Sequence, residues 1–232
     1  MAIDPQSLAR ATASWLEFEL RCDREELFSE AYLAHPIGQV LNATTTDGVS
    51  TEEPHPLPAM NTPGRRGAKK CLDFAVFRRG STVLTDVIET KFATAKGPSN
   101  QEIADDLCRL ELVNQPGQQP ARYFLVAGRY ANVLDSVINA QVNIGGGRAA
   151  VFGTVLPSAV GTELTVEVDG STGSLRELWK RFYNELGIAW PARFKVSLAA
   201  NWPPAPDRGD MCCYVWEVGR QQNRIESPAP IP

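Results

Sequence analysis

The amino-acid sequence predicts an α/β protein whose core is a helix, a central mixed sheet and a second helix, followed by further α/β elements. Three observations support this fold class. Residues 6–33 place apolar side chains at helical spacing, residues 71–77 and 83–92 are rich in strand-forming residues, and a capped helical segment begins after Ser99.

The composition is that of a folded protein without a strongly basic surface. The chain has 232 residues, 43% of them hydrophobic, and a formal net charge of −4. This length suits one elaborated domain with a sizeable core. The charge is uneven: residues 64–96 contain eight basic and three acidic side chains, so this segment carries +5 and the remainder −9. A segment of this charge can contact phosphate groups.

The N-terminus and the cysteines favour a soluble cytoplasmic protein. The first residues lack a basic segment followed by an apolar one, and no apolar run is long enough to span a bilayer. The five cysteines are an odd number and show no CxxC spacing, which speaks against a zinc site. We therefore expect no membrane partner.

The first predicted helix carries an apolar stripe that includes Leu8 and Trp15, and Pro36 is expected to end it or redirect it. The following residues, 43–68, contain four prolines and no apolar period. Such a stretch predicts a long and mobile loop.

The next elements form a predicted hairpin and a helix. Residues 71–77 and 83–92 flank a turn that contains Gly80, and Ser99 has a glutamate three residues further on, which is the spacing of a capping box. A short buried strand is predicted at residues 123–127. The order is therefore helix, hairpin, helix, strand.

These elements suggest a division of the chain into a core and an extension. We expect the core to occupy residues 1–128. Residues 129–220 alternate between strand-like and helical patterns and should complete the sheet or shape a substrate groove. Residues 221–232, which are rich in proline, should form a disordered tail.

Three charged residues in the hairpin, Asp73, Glu89 and Lys91, are the strongest candidate site, and we call them the trio. Side chains alternate along a strand, so Glu89 and Lys91 lie on one face while Thr90 points away. An odd-length loop centred on Gly80 would place Asp73 opposite the residue two before Glu89, diagonal to Glu89 on the same face.

Charges on this face need a partner, because both strands are otherwise nearly continuous apolar runs. A hard cation with oxygen ligands fits: Mg²⁺ could bind the Asp73 and Glu89 carboxylates and the backbone carbonyl of Thr90, and Mn²⁺ could substitute. Lys91 could orient a nucleophile or stabilise a transition state. The alternative is a structural ion pair on an exposed strand, since Glu-x-Lys is a common tripeptide.

Through Asp73, Glu89-Thr90-Lys91 and the order of elements around them, residues 6–128 resemble the PD-(D/E)xK nuclease superfamily, which has the restriction-endonuclease-like fold. This resemblance implies metal-dependent hydrolysis of phosphodiester bonds, with Asp73 and Glu89 on the metal and Lys91 beside the attacking water. Two features depart from the family: Leu72 replaces the proline, and Gln101 is not followed by the tyrosine of some exonuclease branches.

The resemblance also implies a further acid on the first helix, for which Glu17 and Glu19 compete. At 100° per residue, Glu19 lies within the apolar arc and Glu17 on the solvent side. We therefore favour Glu19 as a catalytic and metal-binding residue. His35 and His55 lack the spacing of a catalytic base or a metal triad and are interpreted as loop histidines.

The function expected from these features is a Mg²⁺-dependent endonuclease acting on nucleic acid, more readily DNA than RNA, with a homodimer possible. Candidate substrate contacts are Arg65, Arg66, Lys69, Lys70 and Gln101. Two alternatives remain: a non-cleaving nucleic-acid- or nucleotide-binding module on the same fold, and a structural or partner-binding protein.

Overall fold

The computed structural model describes residues 3–60, 71–139, 141–144, 147–150, 156–167, 173–191, 193–219 and 224–225. These residues confirm the α/β class: a seven-stranded mixed sheet is flanked by helices. No helix among them is long and apolar enough to cross a membrane.

The elements follow one another along the chain as alternating helices and strands. The helices are α1 (Pro5–Arg21), α2 (Glu30–Thr44), α3 (Asn100–Leu112), α4 (Tyr130–Val133) and α5 (Gly173–Leu186). The strands are β1 (Gly48–Pro54), β2 (Cys71–Phe77), β3 (Leu84–Ala93), β4 (Ala121–Arg129), β5 (Gln141–Ile144), β6 (Gly147–Ala150), β7 (Glu163–Glu167), β8 (Trp190–Pro191), β9 (Arg193–Trp202), β10 (Met211–Val218) and β11 (Arg224–Ile225). Short turns of helix occupy Glu25–Leu27, Pro58–Met60 and Leu134–Ile138.

The main sheet has the order β1-β2-β3-β4-β10-β9-β7. Its neighbours are antiparallel except for β3 and β4, which are parallel and joined by the crossover helix α3. A parallel pair needs such a crossover. Three strands that follow residue 129 in the chain continue this same sheet, whereas β5 with β6 and β8 with β11 form separate pairs.

Two layers of helices bury the two faces of the sheet. On one face, α1 and α2 pack through side chains such as Leu16 and Leu33 against Phe74 and Ile88. On the other, α3 and α5 cover a second core that contains Val87 and other apolar side chains of β3, β4 and β10. Strands β3 and β4 are therefore buried on both sides, which explains their long apolar runs.

The single helix predicted over residues 6–33 is wrong, because two helices cover this region. Helix α1 ends at Arg21, and Asp23 has a φ of +54°. Ser29 then starts α2: its hydroxyl accepts a hydrogen bond from the Tyr32 amide at 3.1 Å. Pro36, predicted to end or redirect the helix, lies buried inside α2, where it removes one backbone donor.

The loop predicted over residues 43–68 is also partly wrong, because it contains the edge strand β1, which pairs antiparallel with β2. Both faces of β1 are largely exposed, so its sequence has no apolar alternation. Glu52 in this strand has a φ of +53°, and the pairs on either side of it join Thr51 to Phe74 and Glu53 to Leu72. The ladder is thus interrupted opposite Asp73.

The close approach of β4 to β3 requires glycine at position 128. Gly128 has a φ of +154°, and a Cβ atom there would lie 2.6 Å from the Ala93 carbonyl oxygen. We expect Gly128→Ala to lower the free energy of unfolding by about 2 kcal/mol, measured by urea denaturation. The control is Gly80→Ala, where φ is +67° but no atom lies within 4 Å of the added Cβ. Equal losses in the two variants would contradict the steric explanation.

Candidate active site

The β2–β3 hairpin brings Asp73 and Glu89 together, although not in the predicted register. Ala75, rather than Asp73, faces Val87, and Phe74 faces Ile88, so the strands are offset by two residues from the predicted pairing. The difference has two sources of one residue each: the turn pairs Phe77 with Leu84, and an irregularity after Val76 adds one further residue on β3. Asp73 lies one residue beyond the last of these pairs, and its carboxylate is close enough to Glu89 to raise the pKa of Glu89 by repulsion.

Asp73 is half-buried and is anchored on Thr90. Its Oδ2 accepts hydrogen bonds from the Thr90 amide at 2.6 Å and from the Thr90 hydroxyl at 2.8 Å. The Thr90 hydroxyl thus contacts Asp73, although alternation places Thr90 on the face of β3 opposite to Glu89 and Lys91. Within the described part of the chain, the Oδ1 atom of Asp73 accepts no hydrogen bond, which leaves it available to a ligand.

Glu89 is fully buried and paired with an arginine of α3. Arg109 donates from Nε to Oε1 of Glu89 at 2.9 Å and from Nη2 to Oε2 at 3.0 Å, and Nη2 also bonds Asp106. Burial raises the pKa of Glu89 well above its ordinary value, and repulsion from Asp106 and Asp73 adds to this rise, while Arg109 opposes it. Removing Arg109 would therefore leave a buried carboxylate without its main cationic partner.

Lys91 lies beside Glu89 on β3 and is 8% exposed. Its Nζ contacts Oε1 of Glu30 at 2.9 Å, Oδ2 of Asp106 at 3.0 Å and the Thr90 carbonyl at 3.2 Å. Burial alone would lower the pKa of this ammonium, but Asp106 and Glu30 outweigh burial and raise it. Lys91 therefore stays protonated at neutral pH and can donate hydrogen bonds but cannot act as a general base.

These contacts define a set of six side chains that we call the charged cluster: Glu30, Asp73, Glu89, Lys91, Asp106 and Arg109. Four acids face two bases, so the cluster carries two excess negative charges when all are ionised. Burial raises the pKa of Asp106, and repulsion from Asp73 acts on Glu30, Glu89 and Asp106. Excess negative charge of this kind attracts a cation.

The structure does not bring Glu19 to the trio. Glu19 is buried, as its position on the apolar arc predicted, but its Oε2 accepts a hydrogen bond from the Tyr32 hydroxyl at 2.8 Å and pairs with Arg24 at 3.2 Å. Its rival Glu17 pairs with Arg21 at 2.9 Å. The helix acid that does reach Lys91 is Glu30, the first residue of α2.

Sequence reasoning missed Glu30, Asp106 and Arg109. Glu30 could not be found while residues 6–33 were read as one helix. Asp106, however, stands on the predicted apolar stripe of α3, three residues after Ile103, and an acid on a buried stripe needs a partner. The same reasoning that singled out Glu19 would have identified Asp106.

The predicted substrate contacts have different outcomes. Arg65, Arg66, Lys69 and Lys70 lie outside the described residues. Gln101 is half-buried near the start of α3, and its side-chain amide donates to the Asp105 carboxylate. No contact joins Gln101 to the trio among the described residues.

His55 follows β1 and is completely buried against α3. Its Nδ1 accepts from the Leu57 amide at 3.1 Å, so its Nε2 carries the proton and donates to the Arg109 carbonyl at 3.0 Å. Burial lowers the pKa of His55 to about 4. Neutral His55 therefore holds the backbone of Arg109, whose side chain pairs with Glu89.

Within the described ranges, no three acidic, histidine or cysteine side chains are grouped as a preformed metal site. The carboxylates of the charged cluster are directed towards Lys91, Arg109 and Thr90 instead. No protein-family model matches the chain, and comparisons with curated proteins and with solved structures give no significant match.

Proposed function

We propose that this protein is a metal-dependent nuclease that hydrolyses phosphodiester bonds in DNA, with a restriction-endonuclease-like core in residues 1–128. The observation that carries the proposal is the convergence of Asp73, Glu89 and Lys91 in one buried charged cluster. An acid pair beside a protonated lysine supplies the groups that phosphodiester hydrolysis needs: ligands for a cation and a donor for developing negative charge.

The donor set of the cluster fits a hard divalent cation. Asp73, Glu89 and the Thr90 carbonyl offer oxygen ligands of the type that Mg²⁺ and Mn²⁺ prefer, and Glu30 lies at the exposed edge of the cluster. When all six groups of the cluster are ionised, its two excess negative charges balance the charge of such an ion. A bound divalent cation lowers the pKa of a coordinated water and neutralises charge on a phosphate oxygen.

The protein's own groups would orient the reactants. Lys91 is held by Glu30 and Asp106, which keep its ammonium charged and fix its position beside Glu89. A fixed ammonium stabilises negative charge that develops on a nearby phosphate oxygen, with little reorganisation during the reaction. Thr90 orients Asp73 through two hydrogen bonds and so leaves one Asp73 oxygen for a ligand.

The sequence around the cluster favours a polyanionic substrate. Arg65, Arg66, Lys69 and Lys70 precede Asp73 by a few residues in the chain, within the segment that carries +5. Contacts of this kind bind phosphates without reading base sequence, and they weaken as salt concentration rises. We propose DNA as the substrate on this basis and on the family resemblance.

The proposal is tested by a DNA-hydrolysis assay with Mg²⁺ or Mn²⁺ on the wild type and on Asp73→Asn. We expect the substitution to lower the rate by about 100-fold, because it removes one charge from the metal-binding pair. The control is Asp135→Asn, which changes an exposed aspartate paired with Arg208 at 2.8 Å and should keep wild-type activity. A wild type without metal-dependent hydrolysis, or an active Asp73→Asn variant, would overturn the proposal.

A second candidate is a non-cleaving nucleic-acid-binding module on the same fold. The observation that favours it is the pairing of both Glu89 oxygens with Arg109, since a structural ion-pair network has this form. Calorimetric titration distinguishes the two functions. Binding of Mn²⁺ that is abolished by Glu89→Gln supports the nuclease, whereas DNA binding without any metal binding supports the second candidate.

A further inference from the structure

Arg109 occupies the carboxylate that a metal ion would need. Its guanidinium spans both oxygens of Glu89, at 2.9 and 3.0 Å, and Glu89 has no exposed surface. Two parallel hydrogen bonds of this type form the strongest pairing available to a carboxylate in a protein interior. A divalent cation that binds Glu89 through these lone pairs must displace Arg109 from at least one of the two oxygens.

Charge leads to the same conclusion. With Arg109 on Glu89, a divalent cation beside that carboxylate would face a guanidinium at short range, in a buried setting where repulsion is poorly screened. Besides Glu89, the buried part of the cluster offers Oδ1 of Asp73 and Oδ2 of Asp106 without a hydrogen bond in the described structure, and Oδ2 of Asp106 lies 3.0 Å from the Lys91 ammonium. Cation binding and the Arg109–Glu89 pair are thus in competition.

We propose that Arg109 is a resident counter-ion of the metal site, which holds Glu89 until a divalent cation displaces it. This inference rests on the proposed function and adds a control element to the same site. Divalent-cation affinity is then set by the difference between binding the cation and breaking the Arg109–Glu89 pair, so the wild type binds more weakly than its carboxylates allow.

Arg109 has an alternative partner once it leaves Glu89. Its Nη2 already bonds Asp106, which lies three residues earlier on the same helix, so the guanidinium charge stays paired. The Arg109 side chain is 13% exposed, so it can move towards solvent. Its backbone is held by His55 at 3.0 Å, so the side chain can move while α3 stays in place.

The test is calorimetric titration of the wild type and Arg109→Gln with Mn²⁺ and Mg²⁺. We expect the variant to bind about tenfold more tightly, because the competing charge is gone. Its midpoint of thermal unfolding should also rise more on addition of Mn²⁺ than that of the wild type, since the cation replaces the lost partner of Glu89. Arg109→Lys keeps the charge without the two-pronged contact and should bind with intermediate affinity.

The matched control is Arg122→Gln. Arg122 is likewise buried, and it donates from Nε and Nη2 to the Val113 carbonyl, away from the carboxylates of the cluster. This variant should lose stability without a change in cation affinity. An increase in cation affinity equal to that of Arg109→Gln would show a general loosening and overturn the inference.

The outcomes separate this inference from the proposed function. Equal or weaker cation binding by Arg109→Gln and Arg109→Lys, alongside clear wild-type binding that needs Glu89, overturns the counter-ion role and leaves the nuclease proposal standing. If no form of the protein binds Mn²⁺ or Mg²⁺, the metal site itself fails, and both proposals fail with it. Should Arg109→Gln not fold, the affinity of Arg109→Lys relative to the wild type decides.

Discussion

Replacement of Lys91 by methionine is expected to lower the rate of Mg²⁺-dependent DNA hydrolysis about 1000-fold, which corresponds to about 4 kcal/mol of transition-state stabilisation. Methionine keeps most of the aliphatic stem but removes the ammonium that Glu30 and Asp106 hold in place. The effect should fall on kcat, because a fixed positive charge contributes most when negative charge develops on the phosphate.

The Lys91→Arg variant should lack activity as the Lys91→Met variant does. Arginine keeps the positive charge, but its planar group is larger than an ammonium, and the position beside Glu89 is enclosed. The control is Lys195→Met, which removes a surface lysine paired with Glu163 at 2.7 Å and should leave the rate unchanged. Thermal unfolding of each variant separates loss of activity from loss of fold. Substantial hydrolysis by Lys91→Met would contradict the assigned role.

The hairpin is the part of the site that sequence reasoning predicted best. Alternation along β3 correctly placed Glu89 and Lys91 on one face, and Gly80 has the positive φ that the turn needs. The register was less accessible, because the turn and an extra residue in β3 each shift the pairing of the two strands by one position. Nothing in a run of Val, Leu and Thr marks where a bulge will form.

Glu30, the helix acid that contacts Lys91, could not be predicted for a related reason. The apolar stripe of α1 continues into α2, so periodicity alone predicts one helix. Only Ser29 signals a second N-terminus, and this signal competes with Pro36, which usually ends a helix. Once the break is placed at residues 22–29, Glu30 becomes the first residue of a helix whose N-terminus lies at the cluster.

Asp106 and Arg109 were predictable in principle, but the motif that predicted the site lies on the strands and does not include them. Both stand on the buried side of α3, and a buried charge implies a partner of opposite sign. Which partner each one finds depends on how α3 lies across β3 and β4. That crossing is a property of the packed structure and not of any local sequence.

His55 should make the stability of the protein fall as the pH is lowered from about 6.5 to about 4. Burial lowers the pKa of His55 from 6.5 to about 4, so between these values the unfolded chain binds a proton that the folded protein does not. The contribution of His55 is therefore complete above the unfolded pKa and is lost on acidification. A shift of this size corresponds to about 3 kcal/mol in the free energy of unfolding.

The buried acids make the folded protein more stable as the pH falls. The contribution of His55 therefore has to be measured as a difference between the wild type and a His55 variant. Burial raises the pKa of Glu89, Asp106 and Asp86, and the folded state therefore takes up protons at these residues more readily than the unfolded chain. Urea denaturation of the wild type and of His55→Gln at several pH values cancels these shared contributions. The wild type should lose about 3 kcal/mol relative to the variant between about pH 7 and pH 4.

His35→Gln provides the control, because His35 is the other histidine of the chain and is exposed on α2. Parallel curves of unfolding free energy against pH for the wild type and His55→Gln would mean that the His55 imidazole titrates alike in both states, which contradicts its burial. Protonation adds the proton at Nδ1, which can then no longer accept a hydrogen bond from the Leu57 amide, whereas Nε2 still donates to the Arg109 carbonyl. The acid-sensitive contact of His55 is therefore the one to Leu57.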